Sequence, residues 1–126
     1  MEKICLEVPS APTPAAPYSV AVRAGDMLYL SGQVPLKPDG SGPVRGTIQE
    51  EARQVLENVK AVLADCGSSL DKVVKVTALL SDMEDFAAFN AVYSEYFPTN
   101  PPARTCFQAG RLPLDVKVEV ECVAVI

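Results

Sequence analysis

Histidine is absent from the 126 residues of this chain, and its absence excludes several kinds of catalytic site. Without it the chain cannot build a Ser-His-Asp triad, a Cys-His dyad or a His-ligated metal centre. Any reaction must depend on arginine, carboxylates, hydroxyls, thiols, the backbone or the substrate. The four cysteines lack the C-x-x-C pairing of zinc and redox sites, so we interpret them as reduced thiols and expect no metal or other cofactor.

Positive charge is also scarce, since the formal net charge is -5 and the pI is about 4.6. No broad basic surface can release counterions from a phosphate backbone, which argues against a nucleic-acid partner. No apolar run is long enough for a membrane span or a signal peptide, and we expect a cytoplasmic protein without a membrane partner. Length and an apolar content of 48% predict one globular domain over residues 1–126.

Residue patterns predict eight elements in the order βββαβαββ. The strands are expected over residues 4–8, 20–23, 27–31, 73–80, 103–108 and 116–125. The first helix is expected to begin at a capping box, residues 47–50, and to end near Gly67; the second is expected between a capping box at residues 81–84 and Pro98. The aromatic stripe of the second helix is typical of core packing.

The strand over residues 73–80 is rich in β-branched residues and is expected at the centre of the sheet. Val74, Val76, Ala78 and Leu80 make one fully apolar face, and the residues between them make a mixed face. Two amphipathic helices can cover only one face of such a sheet. The uncovered face is therefore expected to meet another subunit.

Arg104, Cys106 and Gln108 are two residues apart in a strand and should share one face of it. An arginine in so apolar a segment needs an anion, and its planar guanidinium suits two-point binding of a carboxylate. A structural salt bridge is the alternative.

Two other groups have a simple structural interpretation. Lys117, Glu119 and Glu121 lie on one face of the last strand, where such a row is typical of a solvated surface. Ser31 and Gly32 are at the end of a strand, where Gly allows close backbone approach and Ser offers a hydroxyl. The same pair also fits an ordinary turn.

Several segments together resemble the YjgF/Rid (reactive-intermediate deaminase) family, and the match runs from end to end. The matching segments are Leu30-Ser31-Gly32-Gln33, Asp85-Phe86, Asn90, Pro102-Ala103-Arg104 and Val118-Glu119-Val120-Glu121. The most specific stretch reads PARTCFQAGRLPLDVKVEV over residues 102–120. The chain departs from the family in having Ala16 where Gly commonly precedes Pro-Tyr, and Thr105 where Ser is frequent.

This resemblance implies a chorismate-mutase-like α+β fold, a mixed sheet with two helices packed on one face. It also implies homotrimers with three clefts between subunits. The expected activity is hydrolysis of reactive 2-imino and enamine acids, such as 2-iminobutanoate and 2-iminopropanoate, to 2-oxo acids and ammonia. Carried over by position, Arg104 would bind the substrate carboxylate, Glu119 would position the attacking water and Gly32 would offer a backbone N–H. The residues expected to line the cleft are Tyr18, Ser31, Asn90 and Cys106.

Hydrolysis of an imine demands little of a protein, because a protonated imine carbon is already strongly electrophilic. A site without histidine or metal is sufficient for it. A non-catalytic or chaperone-like binder of 2-oxo acids and other small carboxylates is the first alternative. A mutase of the chorismate type, with Arg104 and Arg111 each holding a carboxylate, is the second.

Overall fold

The computed structural model, which describes residues 1–126, has its main elements in the predicted order βββαβαββ. They are β1 (Lys3–Leu6), β2 (Ala21–Ala24), β3 (Met27–Gln33), α1 (Ile48–Asp65), β4 (Val73–Leu80), α2 (Phe86–Tyr96), β5 (Ala103–Gln108) and β6 (Val118–Val125). Single 3-10 turns lie at Leu70–Lys72, Met83–Asp85 and Pro113–Asp115. The predicted α+β class is confirmed.

All six strands form one mixed sheet in the order β1-β2-β3-β6-β4-β5. Only β4 and β5 run parallel, because α2 carries the chain from the end of β4 back to the start of β5. Both helices pack on one face, which we call the helix face, and the other is the open face. The crossover places α2 above β5 at the edge of the sheet.

The first helix has both of its predicted ends. The Thr47 hydroxyl accepts from the Glu50 N–H at 3.2 Å, and the Glu50 carboxylate accepts from the Thr47 N–H at 3.1 Å. At the other end Gly67 takes a φ of +79°, and the Ser68 N–H reaches the Leu63 carbonyl at 2.8 Å. This is the Schellman arrangement, which favours glycine because its φ is positive.

The capping box predicted before the second helix is wrong. Asp82 instead caps the single turn Met83–Asp85, and α2 begins at Phe86 without a side-chain cap. The Met83 N–H of that turn donates to the side-chain carbonyl of Gln108 at 2.9 Å. The end of β5 therefore helps to hold the start of α2.

The predicted apolar face of β4 is correct except at Val74. The pairing of β4 with β6 shifts between Val73 and Lys75, which leaves Val74 as an extra residue in the strand. As a result Val73 is buried and Val74 is exposed. Alternation alone cannot predict such a bulge.

Apolar side chains also lie on the open face, as expected. They are Val22, Tyr29, Leu79, Phe107, Val123 and Val125, all with exposed or partly exposed side chains. Neither helix of the chain has the length and apolar character needed to cross a membrane.

Candidate functional site

Arg104 lies on edge strand β5 and points toward α2. It pairs with buried Val76 of β4, which places its side chain on the helix face. Its Nη1 donates to Oδ1 of Asn90 at 2.8 Å. Its Cζ lies 4.6 Å from the ring centroid of Tyr93, within reach of a cation–π contact. The guanidinium is thus held by side chains of α2.

Two more rings complete a platform under this guanidinium. Phe86 and Phe89 lie with ring centroids 5.7 and 5.9 Å from the Arg104 Cζ. We call Phe86, Phe89 and Tyr93 the ring platform. The sequence predicted only core packing for these residues. Phe86 and Tyr93 are four and three residues from Asn90, and this spacing was the signal that they share its side of the helix.

No carboxylate of the chain pairs with Arg104. Its single hydrogen bond goes to a neutral amide, and every salt bridge of the chain involves other residues. The structural salt bridge considered from the sequence is therefore absent. A half-buried guanidinium with unused donors can bind an external anion, and the fork of donors fits a carboxylate.

Cys106 lies beside Arg104 on the same face, as the strand alternation predicted. It pairs with buried Ala78, and its side chain is half-buried. Burial raises the pKa of its thiol, and the positive charge of Arg104 offsets this only in part. The thiol is therefore suited to lining a cleft as a neutral group rather than to acting as a nucleophile. We call Arg104, Asn90 and Cys106 the arginine cluster.

Glu119 lies on the open face of β6, with its carboxylate against Gly32 of β3. A Cβ added to Gly32 would stand 2.9 Å from the Glu119 Cδ and closer still to one carboxylate oxygen. Only glycine leaves space for the carboxylate in this position. Burial, and then the charge of Glu121, raise the pKa of the Glu119 carboxyl.

Ser31 precedes Gly32 in β3, and its hydroxyl links this strand to the segment before β2. The Ser31 hydroxyl donates to the Ser19 carbonyl at 2.6 Å, which ties β3 to the segment that carries Tyr18. The Tyr18 side chain is 55% exposed and lines a surface cavity of about 610 Å³. We call Glu119, Gly32 and Ser31 the glutamate cluster.

The solvated row predicted on the last strand is largely wrong. Lys117 precedes β6, and its backbone N–H donates to the buried Glu51 carboxylate at 2.8 Å, with its Nζ 3.5 Å from the same group. Glu119 is half-buried, and only Glu121 is exposed. The importance of Glu51 was missed, although its position three residues after Ile48 placed it on the core side of α1.

The two clusters lie on opposite faces of the sheet, and β4 separates their strands. Val118 and Leu80, which pair with each other, are both buried on the helix face, so Glu119 points the other way from Arg104. The residues of the two clusters are therefore not brought together within one chain. No group of three Cys, Asp or Glu side chains is arranged to hold a metal ion.

The family model described as endoribonuclease L-PSP matches residues 8–126. The mitochondrial protein MMF1 of Saccharomyces cerevisiae is 50% identical over 115 residues, which are 91% of this chain and 79% of that protein. The crystal structure of RidA from an Antarctic Psychrobacter superposes with a TM-score of 0.91 at 35% identity, covering 98% of this chain and 99% of that one. Escherichia coli TdcF, solved with bound serine, gives a TM-score of 0.90 at 39% identity and 98% coverage of both chains.

Proposed function

This chain belongs to the endoribonuclease L-PSP family, also called the YjgF/Rid/RutC family, and on that premise we propose that it hydrolyses reactive 2-imino acids to 2-oxo acids and ammonia. The observation that carries the proposal is the guanidinium of Arg104, which is held by an amide and three rings and has no anionic partner. A carboxylate bound there would place the neighbouring imine carbon at a fixed distance from the protein.

The proposed cleft lies between two subunits. Arg104 and Glu119 point away from each other in one chain, so one small substrate cannot contact both. A neighbouring subunit with its glutamate cluster facing the arginine cluster would bring the two clusters together. The partly exposed apolar side chains of the open face support such an assembly, and we propose a homotrimer.

Within that cleft, the steps follow from the groups present. Arg104 holds the carboxylate, and Glu119 of the neighbouring subunit accepts a hydrogen bond from a water molecule and directs its oxygen at the protonated imine carbon. The new C–O bond forms as the C=N π electrons move to nitrogen. One proton passes from the new oxygen to nitrogen and makes it an ammonium leaving group. The C–N bond then breaks as the remaining hydroxyl proton passes to the departing ammonia, so that the 2-oxo acid and an ammonium ion leave.

One relative and the family description bear on the choice of substrate class. TdcF was solved with serine, an amino acid whose carboxylate is the group that we propose for Arg104. The name endoribonuclease points to RNA instead, but a net charge of -5 and the lack of histidine argue against RNA cleavage by this chain. A non-catalytic carboxylate binder would use the same arginine and is separated from the enzyme by turnover.

Localisation remains a prediction. The sequence leads us to expect a cytoplasmic protein, whereas the relative MMF1 is named as a mitochondrial protein. Imaging a tagged chain in its own cell would decide between the two compartments.

The direct test is the release of 2-oxo acid from imines that an amino-acid oxidase generates in the assay. Arg104→Ala is expected to lower kcat/KM by at least about a hundredfold, because it removes a charged contact and the orientation that depends on it. Arg104→Lys is expected to be nearly as damaging, since lysine keeps the charge but not the planar fork.

Arg111→Ala is the matched control, because Arg111 is exposed and pairs with Asp115 at 2.8 Å. It should retain the wild-type rate. Near-native turnover by Arg104→Ala would refute the deaminase proposal, and near-native turnover by Arg104→Lys alone would refute two-point binding of the carboxylate.

A further inference from the structure

Tyr93 has a position that core packing does not explain. It is 7% exposed, and its ring lies closer to the Arg104 Cζ, at 4.6 Å, than either other ring of the platform. Its hydroxyl is buried and has no hydrogen-bond partner in the protein. A buried hydroxyl without a partner costs stability, so the packing alone would be served as well by phenylalanine or leucine.

The contact with Arg104 is made by the ring and not by a phenolate. Burial raises the pKa of Tyr93 to about 12, so the side chain is neutral in the physiological range. A neutral ring attracts a cation through the negative potential of its face, and this attraction grows when the pair is shielded from water. The ring of Phe97 packs against Tyr93, with centroids 4.7 Å apart and the planes tilted by 33°. Tyr93 therefore contacts both a core ring and the guanidinium.

We propose that Tyr93 is a positioning residue whose ring holds the Arg104 guanidinium in the orientation that receives the substrate carboxylate. This inference rests on the proposed function, because it assigns Arg104 to carboxylate binding. Asn90 fixes one nitrogen of the guanidinium at 2.8 Å, and the ring fixes its plane. The remaining donors of the guanidinium have no hydrogen-bond partner in the chain. Asn90 alone would leave the group free to rotate.

The test compares Tyr93→Leu with Phe97→Leu, a matched loss of one buried aromatic ring. Both residues are 7% exposed and touch each other, but Phe97 is not among the rings around Arg104. Binding of 2-oxobutanoate is measured by calorimetry on the folded assembly, and imine hydrolysis on the same samples. Tyr93→Leu is expected to weaken binding about tenfold and Phe97→Leu less than about threefold.

The kinetic pattern separates positioning from a general loss of structure. For Tyr93→Leu we expect KM to rise about tenfold while kcat changes less than about threefold, the pattern for loss of uniform binding. Tyr93→Phe keeps the ring and should bind 2-oxobutanoate with wild-type affinity, because the hydroxyl that it removes has no partner. Equal affinities for Tyr93→Leu and Phe97→Leu would overturn the inference.

Phe86→Leu covers the case in which Tyr93→Leu does not fold. Phe86 is half-buried and its ring centroid lies 5.7 Å from Arg104, so its loss disturbs the core less. We expect about threefold weaker binding from this variant, and an unchanged affinity would overturn the inference. Wild-type protein and Arg104→Ala are measured first. If wild-type protein does not bind 2-oxobutanoate, or if Arg104→Ala binds it equally well, the proposed role of Arg104 itself fails and the role of Tyr93 fails with it.

Discussion

Arg104 and Glu119 differ in how well the sequence could locate them. Alternation along a strand was enough to place Arg104 and Cys106 on one face, because β5 is regular over its six residues. The partners of Arg104 lie on α2, 14 residues earlier for Asn90, and no local pattern specifies that distance in space. The sequence predicted Glu119 to be part of a solvated row. The contact that partly buries its carboxylate comes from Gly32 on another strand, which no pattern within β6 can reveal.

The raised pKa of Glu119 predicts the pH dependence of the reaction. In the proposed reaction the ionised form of Glu119 is the stronger acceptor for the attacking water, so enzymatic turnover should rise with pH as this carboxyl ionises. Because burial and Glu121 raise its pKa, the rise should lie above the range of an ordinary glutamate. Glu121→Gln removes the negative charge that helps to raise this pKa, and it should move the midpoint of the pH–rate profile to lower pH.

The measurement is the rate after subtraction of uncatalysed imine hydrolysis, recorded across the pH range for each variant. Glu2→Gln removes the same charge from an exposed residue near the N-terminus and should leave the midpoint unchanged. A midpoint that does not move in Glu121→Gln would show that Glu119 is not the group whose ionisation limits the rate.

At the scale of elements, the order and type of helices and strands followed from local signals. The capping box at Thr47 and the glycine at 67 gave the ends of α1, because both act within one turn of chain. The bulge at Val74 depends on how β4 meets β6, nearly fifty residues away along the chain, and alternation cannot reveal it. The start of α2 was misplaced because a single 3-10 turn precedes it.

The contact between Glu51 and Lys117 joins α1 to the start of β6. Glu51 is 1% exposed, and its carboxylate accepts the Lys117 backbone N–H at 2.8 Å. Glu51→Ala leaves that amide without a partner and should lower the free energy of unfolding by about 2–3 kcal/mol. Glu51→Gln keeps an acceptor oxygen and should cost less than about 1 kcal/mol.

Urea unfolding at a fixed protein concentration measures both values, because unfolding of the proposed trimer would depend on concentration. Equal losses for the two variants would mean that the charge of Glu51, through the Lys117 Nζ at 3.5 Å, matters more than the backbone hydrogen bond.

At the scale of the whole molecule, the sheet has one covered face and one face with apolar side chains that the helices do not reach. The sequence predicted this asymmetry, because only two helices were available for a sheet with apolar residues on both sides. The separation of the two clusters was not predicted, since the resemblance assigned residues to one cleft without saying which chain supplies each.

The proposed trimer predicts that defective chains can complement each other. Arg104→Ala chains retain the glutamate cluster, and Glu119→Ala chains retain the arginine cluster, so each alone should be nearly inactive. Random mixing of equal amounts should restore activity at about one quarter of the clefts, where an intact Arg104 meets an intact Glu119. Sedimentation should give a trimer mass for wild type and for both variants.

Mixing is done by co-expression or by joint refolding, with each homotrimer carried through the same procedure as control. A mixture no more active than its two components would exclude a cleft shared between subunits. A monomer mass for the native protein would exclude the assembly itself.

The contact between Gly32 and Glu119 also constrains how this sequence can change over generations. The atoms nearest a side chain at 32 belong to the flexible end of Glu119, so Gly32→Ala should displace the carboxylate rather than unfold the protein. Gly32→Ala should therefore lower turnover rather than stability. In a Glu119→Ala background the same substitution should cause no further loss of turnover. The two positions are therefore expected to be epistatic: a side chain at 32 should be free of a cost in turnover only in a lineage that has already given up the carboxylate at 119.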